Sequence, residues 1–153
     1  MKKKIVIILS FLLLFSCGFE PIYSKKKIEN KLNFSIKSIE FSGENIINQF
    51  LKNDLKSYVN IESKPIKYHL SINSKKITTI TSKNKKGNPE LYLMEVNINL
   101  KVFKDGSLKN DTNFKENFEY KNKSNKFELE KYEKSISKNI ASRLARNIVD
   151  QLY

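Results

Sequence analysis

Residues 92–102 carry the clearest alternation of apolar and polar side chains in the chain, and this feature constrains the fold more than any other. Every second position is apolar from Tyr92 to Val102. The polar positions between them include Glu95, Asn97, Asn99 and Lys101. A period of two puts successive side chains on opposite faces of a β-strand. The sequence therefore predicts a sheet with one buried face and one polar face.

Three more strands are predicted around this one. Residues 68–73 and 114–120 alternate in the same way, and β-branched residues at 77–81 continue the first of these strands. Asp105-Gly106 has the chemistry of a tight hairpin turn. Residues 34–41 alternate with one slip, between Ile36 and Ile39, which indicates a β-bulge. Residues 68–120 therefore predict an antiparallel meander.

Two segments change to a helical period. Apolar residues lie three and four positions apart in residues 44–58 and again in residues 127–152. Both helices need an apolar surface to cover, and the sheet offers one. The predicted fold is α+β, a two-layer sandwich in which both helices lie on one face of a four-stranded, mainly antiparallel sheet.

The start of the chain has the order of parts of a secretory signal. Three lysines precede an apolar run over residues 5–15 that only Ser10 interrupts. This run is too short to span a bilayer, which needs about 20 apolar residues. Leu14-Phe15-Ser16-Cys17 resembles the lipobox of bacterial lipoproteins, although Phe15 is bulkier than usual. We expect residues 1–16 to be a signal peptide that is removed.

Cys17 is the only cysteine of the chain and is the predicted lipidation site. Two or three acyl chains would hold the protein on a membrane, since each buried methylene contributes about 0.8 kcal/mol. The resemblance to lipoproteins implies an outer-membrane address on the periplasmic side, because Gly18 rather than Asp follows the cysteine. Residues 17–33 are expected to be a lipidated tether, and residues 34–153 a single periplasmic domain.

The chain is strongly basic, with 29 Lys and Arg against 16 Asp and Glu. Its bias toward Lys, Asn and Ile weakens the inference that an anionic partner accounts for this charge. Lys83, Lys85 and Lys86 lie in the predicted tip between the second and third strands. They are candidate contacts for a phosphate of lipopolysaccharide (LPS), and plain solvation is the alternative.

The residue types that most enzymes use are scarce. His69 is the only histidine and lies on the polar side of a predicted strand. The three glutamates Glu128, Glu130 and Glu133 fall on different sides of the last predicted helix. We expect no catalysis, no cofactor, no metal site and no nucleic-acid partner; any enzyme here would depend on carboxylates alone.

Three stretches resemble the LptE family of LPS-assembly lipoproteins, particularly its alphaproteobacterial members. Cys17-Gly18-Phe19-Glu20-Pro21-Ile22-Tyr23 is similar to the opening Cys-Gly-Phe-x-Pro-Leu-Tyr of those members. Residues 46–55 resemble the first helix of the family, and Tyr120 with residues 137–152 resembles its end.

This resemblance implies a subunit of the LPS transport complex. Such a subunit would bind and plug an LptD-like outer-membrane β-barrel and assist LPS assembly at the outer leaflet of a Gram-negative envelope. The alternative is an accessory lipoprotein of another envelope machine, either a lipid-transport ABC system or the outer-membrane protein assembly complex.

Overall fold

The two sequence periods correspond to one sheet and two helices. The structure is a computed structural model and describes residues 32–153, which form one unit that begins at Leu32. In chain order the elements are β1 (Phe34–Gly43), α1 (Asn45–Leu55) with a 3₁₀ turn (Lys56–Tyr58), β2 (Ile66–Lys83), β3 (Pro89–Lys104), β4 (Ser107–Lys121) and α2 (Lys126–Asp150).

The strands are arranged in the order β1-β2-β3-β4. β1 runs parallel to β2, with α1 as the crossover between them, whereas β2, β3 and β4 form an antiparallel meander. The sheet is therefore mixed, open and mainly antiparallel. The predicted α+β fold with a four-stranded sheet and two helices is confirmed.

The slip in the alternation of β1 is a β-bulge. Ile36 pairs with Tyr68 and Ser38 pairs with His69, so the register shifts by one residue between them. The bulge restores the alternation, and Ile39 then pairs with Leu70 on the same side of the sheet as Ile36. The spacing of two isoleucines predicted this irregularity correctly.

The core lies between the sheet and the helices. From β3, five alternate residues point into it and are at most 2% exposed: Met94, Val96, Ile98, Leu100 and Val102. The buried side chains of α1 include Ile47, Leu51 and Leu55, and those of α2 include Ile140, Leu144 and Ile148. Truncating one such side chain to Ala typically lowers stability by about 2–5 kcal/mol.

The β2–β3 hairpin extends well beyond β1. The last residue of β1, Gly43, pairs with Ser74, and β2 continues to Lys83. At about 3.4 Å per residue, this extension is about 30 Å long. It carries the tip that contains Lys83, Lys85 and Lys86 away from the start of the domain at Leu32.

Candidate functional site

The sheet face opposite the helices is uncovered in the described residues 32–153 and carries polar side chains in rows. Asn73, Asn99 and Asn113 form one row across β2, β3 and β4. The neighbouring row consists of Lys75, Asn97 and Lys115. We call this the open face. Its polar character matches the polar positions predicted for β2 and β3.

Side-chain hydrogen bonds order the centre of the open face. The Asn99 amide nitrogen donates to Asp111 Oδ1 at 2.7 Å and to Asn113 Oδ1 at 3.1 Å. The Asn97 amide nitrogen donates to Glu95 Oε1 at 2.8 Å. These bonds fix the amide groups in place, so the open face presents an organised polar surface.

An ion pair completes this network. Lys115 Nζ lies 2.6 Å from Glu95 Oε2. Hydrogen bonds from Lys115 and then Asn97 lower the pKa of the Glu95 carboxyl. The Lys115 side chain is 57% exposed, so the pair is solvated and salt will screen it.

The tip of the β2–β3 hairpin is an ordered turn. Asn84 Oδ1 accepts hydrogen bonds from the backbone N–H groups of Lys86 and Asn88, both at 3.0 Å. The Asn84 and Asn88 backbones also bond to each other at 2.9 Å. Gly87 has a φ of +81°, which a glycine adopts without steric conflict.

The tip brings the three predicted lysines close together. Lys83 ends β2, whereas Lys85 and Lys86 lie in the turn, and all three are exposed. None of them forms an ion pair with a carboxylate of residues 32–153. Among the described residues, the positive charge of this turn is therefore not compensated by an ion pair.

Aromatic side chains connect the hairpin to α2. The Tyr92 and Tyr120 rings stack with centroids 5.5 Å apart, and the Tyr132 ring meets Tyr120 edge-on at 6.0 Å. Tyr120 Oη donates a 2.6 Å hydrogen bond to Glu133 Oε1. Burial, reinforced by the nearby Glu133 carboxylate, raises the pKa of the Tyr120 hydroxyl.

Glu133 has a structural role that sequence reasoning missed. The sequence suggested three solvated glutamates on the last helix; Glu128 and Glu130 are indeed exposed, but Glu133 is half-buried against Tyr120. The spacing of residues 128–133 gives no sign of this contact, because its partner belongs to β4.

His69 lies on the open face at the end that is farthest from the tip of the β2–β3 hairpin. Its Nδ1 is 2.7 Å from Ser38 Oγ. Together with Lys37 and Lys67 it lines an open cavity of about 800 Å³. Lys67 Nζ already donates to the Ile61 carbonyl oxygen at 2.6 Å. Within residues 32–153, no three His, Cys, Asp or Glu side chains are grouped so that they could hold a metal ion.

Several predictions concern residues outside the described part of the chain. They are the signal peptide over residues 1–16, lipidation at Cys17 and the tether, of which only Leu32 and Asn33 are described. Leu32 is 4% exposed. Among the helices of residues 32–153, none is long and apolar enough to cross a membrane.

Solved structures of bacterial lipoproteins share this arrangement of sheet and helices. The rare lipoprotein B of Shewanella oneidensis superimposes with a TM-score of 0.58 at 10% identity, over 76% of this chain and 93% of that chain. For a lipoprotein B of Nitrosomonas europaea the TM-score is 0.54 at 8% identity, and the superposition covers 89% of this chain and 90% of that chain. For a minor lipoprotein of Acinetobacter baumannii the TM-score is 0.50 at 15% identity, and the superposition covers 75% of this chain and 89% of that chain.

The chain has the fold of these lipoproteins. At such identities the likeness concerns the fold alone. No family model and no curated protein matches the chain in sequence. Because the superpositions cover about nine-tenths of each solved chain, this chain corresponds to nearly the whole of each of these solved lipoprotein chains.

Proposed function

We propose that this protein is an outer-membrane lipoprotein that binds and plugs the β-barrel of an LPS translocon and assists LPS assembly at the outer leaflet. The cysteine that follows the signal sequence and the fold shared with known lipoproteins support the lipoprotein assignment. The opening motif of residues 17–23 supports the choice of the LPS transport complex.

The observation that carries the proposal is the open face. An exposed sheet face of three long strands carries ordered amides and charges at its centre, with no layer over it in residues 32–153. The lumen of a wide outer-membrane barrel is also polar. The two surfaces could therefore meet through hydrogen bonds and bridging water, without burying apolar groups against polar ones.

The length of the β2–β3 hairpin suits this role. The hydrophobic band of an outer-membrane barrel is about 25 Å tall. The hairpin extends about 30 Å beyond the end of β1, at about 3.4 Å per residue. A domain seated in the lumen would thus carry its basic tip through most of the barrel, toward the phosphates of LPS.

The proposed role is binding and not catalysis. His69 is hydrogen-bonded to Ser38, and Glu133 is hydrogen-bonded to Tyr120. Glu128 and Glu130 are exposed on α2. Replacing Glu128, Glu130 and Glu133 together with Gln should leave LPS assembly intact once the folded fraction is matched, because the role needs no acid or base.

Affinity capture tests the proposal. The full chain is purified from envelopes after mild crosslinking, and mass spectrometry identifies its partners. Recovery of an outer-membrane barrel of the LPS translocon is expected. Recovery of an inner-membrane transporter or of the protein-assembly barrel in its place would overturn the proposal and favour another envelope machine.

A matched pair of variants locates the contact. Asn99→Trp adds a bulky side chain to the centre of the open face, and Asn139→Trp adds the same side chain to an exposed position of α2. We expect barrel recovery to fall by about tenfold for Asn99→Trp, equivalent to about 1.4 kcal/mol. Recovery should stay unchanged for Asn139→Trp.

A further inference from the structure

The two edges of the sheet are protected to different degrees. The β4 edge carries many charges, namely Lys109, Asp111, Lys115, Glu116, Glu119 and Lys121. Residues 38–43 of β1 contain a single charged residue, Glu40, and no proline. Charged side chains discourage other strands from pairing at an edge. The β1 edge is therefore the more receptive one.

The chain already covers the first part of the β1 edge. Ile36 forms a parallel bridge with Val59, and Asn60 N donates to the Ile36 carbonyl oxygen at 2.9 Å. Beyond this bridge, no strand of residues 32–153 lies on the outer side of residues 38–43. Within residues 32–153, strand pairing on the outer side of β1 is thus limited to the bridge between Ile36 and Val59.

A groove runs beside this open part of the edge, between β1 and α1. Two adjoining cavities of about 390 and 480 Å³ share Phe41 and Lys52. Ile39, Phe41 and Val59 are half-buried in it, and Ile46 is 38% exposed. Since Ile39 and Phe41 point to the helix side of the sheet, the groove would receive the side chains of an added strand.

The rim of the groove is positively charged. Lys52 and Lys56 line it from α1 and its 3₁₀ turn, and both are exposed. Neither forms an ion pair with a carboxylate of residues 32–153. The rim therefore complements a carboxylate on whatever segment enters the groove.

We infer that the β1 edge and this groove bind an extended segment of a partner protein that carries alternate apolar side chains and, on the same face, a carboxylate. Backbone hydrogen bonds would add the segment as a fifth strand, and its alternate side chains would fill the groove. A second copy fits poorly, because two-fold pairing would bring two Lys52 side chains together.

This inference stands apart from the plug proposal, since the groove and the open face lie on opposite sides of the sheet.

The test uses the full ¹⁵N-labelled chain in detergent micelles. One probe is the peptide acetyl-Val-Thr-Val-Thr-Glu-Thr-amide, in which both valines and the glutamate lie on one face of the extended chain. Its twin, the control peptide, has Lys in place of Glu. We expect the acidic peptide to shift the amide resonances of residues 38–43 and to bind at least about fivefold more tightly than its twin.

Variants define the site. Lys52→Glu should remove the preference for the acidic peptide, whereas Lys85→Glu, at an exposed lysine of the hairpin tip, should keep it. Ile46→Asn should weaken binding, and Ile80→Asn, at an isoleucine that is 47% exposed on β2, should not. These exposed positions carry little of the core, so the variants should fold.

Three results would overturn the inference. They are equal or absent binding of the two peptides, shifts confined to the β4 edge, and a concentration-dependent dimer in sedimentation that Ile46→Asn abolishes. The last result would identify a second copy as the occupant.

Discussion

Gly43 packs directly against the backbone of Ser74. A Cβ atom on Gly43 would lie 1.9 Å from the Ser74 carbonyl oxygen, and the φ of Gly43 is +89°. The backbone N–H of Glu44 donates to this oxygen and to Ser74 Oγ, both at 3.0 Å. Ser74 Oγ in turn donates to Asn48 Oδ1 at 2.8 Å. This junction fixes the turn from β1 into α1 on β2.

Gly43→Ala should therefore be strongly destabilising. The added methyl group meets backbone, which cannot move aside, and the left-handed φ adds strain. We expect the free energy of unfolding to fall by about 3 kcal/mol or more, measured by chemical denaturation. Gly87→Ala is the control: its φ is +81°, but no atom lies within 4 Å of the added Cβ. It should lose only about 1 kcal/mol. Equal losses would mean that strain alone, and not the contact with Ser74, sets the cost.

Tyr120→Phe should lower stability by about 1–2 kcal/mol, because it removes a hydrogen bond to a carboxylate and leaves Glu133 without that donor. Tyr92→Phe is the control, since it keeps the stacked ring. Urea denaturation of both variants at neutral pH compares them. A larger loss for Tyr92→Phe would contradict this account.

The same tyrosine predicts a loss of stability in alkali. The pKa of Tyr120 is raised in the folded protein above its ordinary value of 10.0. Above that value the unfolded chain releases the tyrosine proton while the folded protein retains it, so stability falls as pH rises. Below pH 10.0 the contribution of Tyr120 to stability is fully present. The wild type should lose more stability than Tyr120→Phe above pH 10.0, as measured by denaturation at matched ionic strength; parallel curves would contradict the expectation.

Asn125 caps α2, and Asn125→Ala should destabilise the protein by about 1 kcal/mol. Its Oδ1 accepts from Phe127 N at 2.9 Å and from Glu128 N at 3.4 Å. Asn125→Asp should retain the cap and add a favourable charge at the helix N-terminus. Asn139→Ala, in the helix interior, should be neutral or slightly stabilising. Thermal denaturation ranks the three variants, and a loss for Asp as large as that for Ala would contradict the capping role.

The basic tip should contribute to LPS binding through charge. Replacing Lys83, Lys85 and Lys86 with Gln should weaken binding to LPS-containing vesicles by at least tenfold at low salt, since each basic side chain near an anionic surface contributes about 1 kcal/mol. The control replaces the exposed Lys131, Lys134 and Lys138 of α2 and removes the same charge. Equal weakening in a vesicle sedimentation assay would indicate a non-specific effect of net charge.

Local periodicity predicted most elements of the fold, because the side chains of each strand are more buried on one face of the sheet than on the other. The interval between Ile36 and Ile39 even located the bulge of β1. The place of β1 in the sheet could not be predicted in this way, since alternation does not identify a strand's neighbour. Ile46 and Phe118 have core spacing but are 38% and 39% exposed, because they lie at the margins of the helix layer and the sheet.

The same difference between local pattern and packing determines which candidate sites could be predicted. The lysines of the tip could be predicted because a turn between two strands must be exposed. The groove beside β1 and the contact between Tyr120 and Glu133 could not, because each depends on which elements pack together. The open face was predicted only as a polar surface; its hydrogen-bonded amides follow from the register of three strands.

Site-specific photocrosslinking in living cells tests the central claim most directly. A benzophenone side chain is placed at Asn99 on the open face or at Asn139 on the exposed side of α2. A partner that binds the open face predicts a covalent adduct with an outer-membrane β-barrel from position 99, at several times the yield from position 139. An adduct from position 139 alone, or an adduct from position 99 with a protein that is not an outer-membrane barrel, would contradict it.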